Sequence, residues 1–368
     1  MSTPIRPNVL NMTPYVPGRP IDEVKQELGL DRVIKLASNE NPFGPSPKAV
    51  EALKQAVGDL HLYPDGATAA LKKALSAKFD IGEESLVLGN GSDELIHLLG
   101  LVFLGHPSDE VIVGEPSFIR YDASAELAAC HLVRVPLDRD LAYDLKAFSD
   151  AVTDHTRLVF LANPNNPTGG IVGRTDLAHF LKDLPRAVTL VLDEAYYEFA
   201  ADDPEYPSSL EFIREGYNVI GLRTFSKAYG LAGIRLGYGF ASPRVADAFN
   251  RAREPFNVNS LAQIAGIAAL SDDEHVRTTV QMNSEERRRM AEQLTGHGAR
   301  VFPSWGNFLF ADFGRPSKPI YEALLAQGVI VRPGSAFGKP SFLRISIGTP
   351  EENTAFVTAL DRAVTAVV

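Results

Sequence analysis

Cysteine is almost missing from this 368-residue chain: Cys130 is its one thiol, so no internal disulfide framework exists and a reducing compartment suits the sequence. Positive charge is short too. The 36 Lys and Arg stand against 46 Asp and Glu, a formal charge of -10. This argues against a nucleic-acid or anionic-membrane partner, because either rewards a basic face. Any anionic ligand must therefore be gripped locally. No apolar run approaches the roughly 20 residues of a membrane span, and the opening Met1-Ser2-Thr3-Pro4-Ile5-Arg6-Pro7 has no apolar signal core. The expectation is a soluble, cytoplasmic protein. Two nucleotide signatures are also absent, a glycine loop ending in Gly-Lys-Ser/Thr and the G-x-G-x-x-G fingerprint, which disfavours nucleotide cofactors and a nicotinamide dehydrogenase. Internal repeats and low-complexity linkers are missing as well.

What is present is ordinary globular protein, 45% hydrophobic and 22% charged, of a length that fits about two domains. Short apolar, β-branched runs punctuate the chain at 86–88, 111–113, 132–135, 157–161, 189–192, 217–222 and 236–240. Amphipathic stretches such as 94–103 and 176–184 separate several of them, which predicts a mostly parallel, doubly wound α/β sheet. The first forty residues, rich in proline and asparagine, hold one good helical stretch at 21–28 and read as an arm lying on something else. Beyond about residue 257, helical patterns at 261–270 and 273–294, strand-like pieces at 308–312, 329–332 and 343–348, and a closing helix from Glu351 predict a smaller α+β domain. The organisation expected is an arm over 1–38, a large domain over 39–256 and a small domain over 257–368. A ligand is expected in the crevice between the domains, at the carboxyl ends of the large-sheet strands.

Four segments bear chemistry. Asn90-Gly91-Ser92-Asp93-Glu94 follows a strand and opens a helix, either a phosphate cradle or a plain glycine turn with a helix cap. Asn163-Pro164-Asn165-Asn166-Pro167-Thr168-Gly169-Gly170 turns sharply after a buried strand, and its asparagines are either turn chemistry or ligand contacts. Val191-Leu192-Asp193-Glu194-Ala195-Tyr196 ends a strand on a carboxylate, which either caps a helix or pairs with a protonated heterocyclic nitrogen. In Thr224-Phe225-Ser226-Lys227, two hydroxyls flank a lysine and Arg235 lies eight positions on. That lysine is a candidate Schiff-base nucleophile, and the hydroxyls with the guanidinium suit a phosphate dianion.

Taken in order, Asn39–Pro45, Tyr63-Pro64-Asp65, Gly89–Glu94, Asn163–Gly169, Leu192–Tyr196, Ser226–Arg235 and Leu343–Thr349, with Pro14–Gly18 in the arm, the sequence resembles the histidinol-phosphate aminotransferases. The resemblance covers nearly the whole chain. It implies the fold-type I architecture of pyridoxal 5′-phosphate (PLP) transferases, with a mostly parallel seven-stranded sheet in the large domain. It also implies that Lys227 carries PLP and moves the substrate proton, and that Asp193 keeps the pyridine nitrogen protonated. Tyr196 and Asn166 would meet the ring hydroxyl oxygen, and Phe118 would stack on the ring. The phosphate would rest on the N–H groups of Ser92 and Asp93, on Thr224, Ser226 and Arg235, and on Tyr63 reaching over from a second copy in a homodimer.

Substrate recognition, on the same resemblance, falls to Tyr15, Asn166, Arg332 and Arg344. The two arginines would clamp a phosphate or carboxylate bidentately, and the same pair must serve a glutamate carboxylate in the second half-reaction. The expected reaction is histidinol phosphate with 2-oxoglutarate, by a ping-pong route. After Arg332-Pro333 the chain reads Gly334-Ser335-Ala336-Phe337-Gly338, where this family more often has a bulky residue and then a tyrosine before the glycine. An aromatic amino acid aminotransferase is therefore the second reading. A threonine-phosphate decarboxylase is a third, and a non-catalytic PLP-sensing regulator a fourth, although that last needs a fused DNA-binding segment and no basic helix-turn-helix is found.

Overall fold

The computed structural model describes residues 4–14 and 17–366. Its strands are β1 (Ile34–Leu36), β2 (Leu86–Gly89), β3 (Glu110–Glu115), β4 (His131–Pro136), β5 (Thr156–Ala162), β6 (Thr189–Asp193), β7 (Val219–Thr224), β8 (Gly237–Phe240), β9 (Arg300–Val301), β10 (Phe308–Asp312), β11 (Val329–Pro333) and β12 (Phe342–Ser346).

All seven apolar runs became strands of one seven-stranded sheet, ordered β2-β8-β7-β6-β5-β3-β4. Only β8 runs against its neighbours; the remaining pairings are parallel. The runs look continuous in sequence because both faces of this sheet are covered. On β5, Leu158 and Phe160 enter one core cluster and Val159 and Leu161 the other, the period of two that a strand imposes. The strand order reverses where β3 lies beside β5, and at such a point the carboxyl-end loops part and leave a crevice.

A second sheet, β1-β11-β12-β10-β9, is antiparallel except where β1 pairs in parallel with β11, Ile34 opposite Val329. The end of the expected arm is thus a core strand, with Leu36 among the most buried side chains of the chain. The arm's helix Ile21–Leu28 forms as predicted, and Pro7–Asn11 adds a second short one.

The helix Ser260–Leu270 had been expected to open the small domain. The structure packs its Ala262, Ala265, Ala269 and Leu270 with Leu71, Phe225, Leu236 and Tyr238, in a core beside the seven-stranded sheet. Its residues are small and apolar on most sides, so it suits burial between helices rather than a surface. The helix Asp273–Gly296 spans two cores: its Val276 and Val280 meet the cluster around Tyr196, while Met290 and Leu294 enter the core beside the five-stranded sheet. Among the described residues, no helix is long and apolar enough to cross a membrane.

Candidate active site

The carboxyl ends of β2, β3, β5, β6 and β7 converge on a cavity of about 260 Å³. Twelve residues singled out in the sequence line it: Ser92, Asp93, Phe118, Asn166, Asp193, Tyr196, Thr224, Ser226, Lys227, Arg235, Arg332 and Arg344. Tyr63 does not: it is 84% exposed, stacked on Phe256 at 4.9 Å between ring centres. Tyr15 lies outside the described residues.

Lys227 follows β7, and its Nζ donates to the Ser38 carbonyl at 3.3 Å and sits 5.7 Å from the centre of the Tyr196 ring. Burial, and then the charge of Arg344, lower its pKa to about 8. An ammonium is disfavoured here on both counts, so about a tenth of this amine is neutral and nucleophilic at pH 7.

Asp193 is the last residue of β6 and is 4% exposed. Its Oδ2 accepts from the Tyr121 hydroxyl at 2.7 Å and its Oδ1 from the Ala195 N–H at 3.1 Å, both neutral donors. Burial pushes the carboxyl up to about 6, with the Tyr121 and Ala195 hydrogen bonds pulling the other way. A cation placed in the cavity would relieve that strain.

The three asparagines of the 163–170 loop divide their work. Asn163 exchanges hydrogen bonds with Val172, and Asn165 accepts from Ser117 and Tyr143 while donating to the Pro116 carbonyl. Those two hold the turn. Asn166 faces the cavity, and its Oδ1 accepts from Arg344 Nη1 at 2.6 Å.

At the start of the helix Ser92–Phe103 the N-cap is Gly91, at φ 76°, which has no side chain to satisfy the first N–H groups. A Cβ there would fall 2.3 Å from Arg235 Nη2, so a glycine keeps the space between helix and guanidinium open. Across it the Thr224 hydroxyl donates to Ser226 Oγ at 3.0 Å, and Arg235 reaches the Asp93 carboxylate at 3.3 Å. Hydroxyls, a guanidinium and uncapped N–H groups together make a cradle for a dianion.

Arg332 and Arg344 are direct partners in the β11–β12 ladder. Like charges opposed across a ladder repel, and Arg344 is only 7% exposed, so the pair suits a site where an anion joins them. Arg344 Nη2 also donates to the Ala37 carbonyl at 2.6 Å.

Two contributors went unread in the sequence. Asn39 donates to the Tyr196 hydroxyl at 2.9 Å, and Tyr121 donates to Asp193. Asn39 lies in a segment that the resemblance already marked, whereas nothing in the run Phe118-Ile119-Arg120-Tyr121 separates a site tyrosine from a core one.

The family model for aminotransferase class I and II matches residues 31–360. The chain is 48% identical over 356 residues to a histidinol-phosphate aminotransferase of Moorella thermoacetica, covering 96% of this chain and 92% of that one. It is 46% identical to one of an Anaeromyxobacter species, covering 97% and 98%. Among solved structures, a histidinol-phosphate aminotransferase from Sinorhizobium meliloti in complex with pyridoxal-5′-phosphate superposes with a TM-score of 0.92 at 29% identity, covering 100% and 99% of the two chains. With its cavity, its sheet order and these likenesses in agreement, the chain belongs to the class I and II aminotransferase family, within its histidinol-phosphate aminotransferase group.

Proposed function

We propose that this protein transfers the amino group of histidinol phosphate to 2-oxoglutarate with PLP as its cofactor, a step of histidine biosynthesis in the cytoplasm. The observation that carries the reading is one cavity lined by Lys227 and Asp193, at neighbouring strand ends, and by the opposed pair Arg332 and Arg344. The residues fit the cofactor: the space that a Cβ on Gly91 would fill lies beside the anion cradle, and the buried Asp193 carboxylate awaits a cation.

When bound, PLP supplies a carbon that bonds an amine and a ring that withdraws electrons from it. Lys227 would hold the cofactor covalently, and its Nζ would take the proton of the amino-bearing carbon. Asp193 would keep the ring nitrogen protonated. Tyr196 and Asn166 would hold the ring hydroxyl oxygen, and Phe118 would cover the ring face. The phosphate would be gripped by the Ser92 and Asp93 N–H groups, Thr224, Ser226 and Arg235, with Tyr63 of a second copy completing the grip in a homodimer. Arg332 and Arg344, with Tyr15 and Asn166, hold the phosphate of the donor and then a carboxylate of the acceptor, so the two substrates take turns.

An aromatic amino acid aminotransferase is the second reading, suggested by Phe337, whose ring centre lies 5.4 Å from the Arg344 guanidinium carbon, although Phe337 itself does not line the cavity. Single-turnover spectra decide. Histidinol phosphate should bleach the cofactor's visible band rapidly; bleaching by phenylalanine alone would favour the second reading. Borohydride should fix the cofactor on the peptide containing Lys227, and labelling of another lysine would refute the assignment.

A further inference from the structure

The tyrosine that meets Asp193 lies outside every motif considered so far. Tyr121 is 0% exposed, in the helix Arg120–Ala128 that follows β3, and its ring stacks on Phe160 at 4.5 Å and stands edge-on to Phe118 at 5.7 Å. Ring packing accounts for an aromatic residue here. It does not account for a hydroxyl, which a phenylalanine would lack at no loss of those contacts. The hydroxyl is spent on one bond, to Asp193 Oδ2 at 2.7 Å.

We infer that Tyr121 is a positioning residue for Asp193, its hydroxyl orienting the buried carboxylate and keeping it ionised toward the cavity. The inference rests on the PLP reading of the site. A carboxylate at a dry strand end tends to take up a proton, and a protonated Asp193 is a poor partner for a cationic ring nitrogen. Two neutral donors oppose that tendency without competing as cations: the Ala195 N–H, fixed by the backbone, and the Tyr121 hydroxyl, fixed by its aromatic neighbours. Burial and the Asp193 charge hold the Tyr121 phenol well above its ordinary value, so it remains a donor across the working range. A water molecule could make the same bond but not with the same constancy of direction. Tyr121 thus acts on the cofactor through Asp193.

The test is Tyr121→Phe in the holoenzyme, loaded with PLP carrying nitrogen-15 in its ring. The ring packing is kept, so the variant should fold and Lys227 should still be fixed by borohydride. The cofactor's dissociation constant should rise about tenfold and kcat should fall about tenfold at unchanged substrate KM, the scale of one hydrogen bond to a charged group. The nitrogen-15 resonance should move toward the unprotonated position, a change that a packing role would not produce. On an Asp193→Asn background the same substitution should add nothing; additive losses would overturn the inference. So would a Tyr121→Phe enzyme with the parent's resonance and cofactor affinity. Failure of the parent protein to take up PLP would instead sink the proposed function, and this inference with it.

Discussion

Lys227 is an amine kept where its charge is costly, and the sign of that effect is testable. The neutral form reacts with an aldehyde, so a value near 8 in place of 10.5 brings reactivity into the physiological range from above. In the cofactor-free protein, capture of pyridoxal trapped by cyanoborohydride should rise with pH to a half-maximum near 8; a half-maximum near 10.5 would contradict the assigned cause. Arg344→Met should move the midpoint upward, since it removes the second-ranked cause, the guanidinium charge. Arg344→Ala should leave PLP bound and raise the substrate KM roughly 10- to 100-fold, about 1.5–3 kcal/mol of lost charge-assisted bonding, measured by steady-state kinetics. An unchanged KM would remove Arg344 from substrate binding. Residues of this kind were readable because each stands in a segment whose composition its neighbours do not explain. Tyr121 was not, since a buried tyrosine looks the same in sequence whatever its hydroxyl does.

At the level of the strand, alternation does the placing. Asp193 and Thr224 face the cavity, and Glu194 and Arg223, one residue away on the same two segments, turn inward. There they form an ion pair of 2.9 Å, with side chains 0% and 1% exposed. Ser209 gives Glu194 two further hydrogen bonds, each of 2.7 Å. Among the described residues Arg223 Nη1 has no hydrogen-bond partner, but the guanidinium carbon lies 3.3 Å from the centre of the Tyr197 ring, so an aromatic face meets the cation. Removing one member leaves a buried charge uncompensated. Glu194→Ala should therefore cost about 3–5 kcal/mol in urea unfolding, and the double variant with Arg223→Met should recover much of the loss. Gly91→Ala, which puts a side chain at a positive φ and 2.3 Å from Arg235, should weaken PLP retention on dialysis far more than it weakens the fold. Most strands of the seven-stranded sheet were legible because burial on both faces makes them apolar, while the half-exposed edge strand β4 showed through its β-branched Val133 and Val135. β1 and β9, of three and two residues, carry too few side chains for any periodicity to show. The allegiance of the helix Ser260–Leu270 was hidden for another reason: a helix apolar on most sides announces burial but not which core takes it.

Across the whole molecule, exposed apolar side chains gather near Tyr63: Val57, Leu60, Leu62 and Phe256. Exposed patches of this kind mark association surfaces. The dimer proposed above predicts that Leu62→Glu will halve the mass seen by sedimentation equilibrium and loosen PLP, because Tyr63 would be lost to the partner site; a monomeric parent protein would defeat the proposal. The order of the sheets could not be read from the chain, since pairing depends on contacts between segments that propensity never compares.

The parallel seam between β1 and β11 joins residue 34 to residue 329, with almost the whole polypeptide between them. On the ribosome, the leading strand of the small sheet emerges early and must wait for a partner made near the end. The sheet that carries Arg332 and Arg344 is therefore the last part of the enzyme that can close, and a chain cut short before β11 would keep Lys227 but lack both arginines.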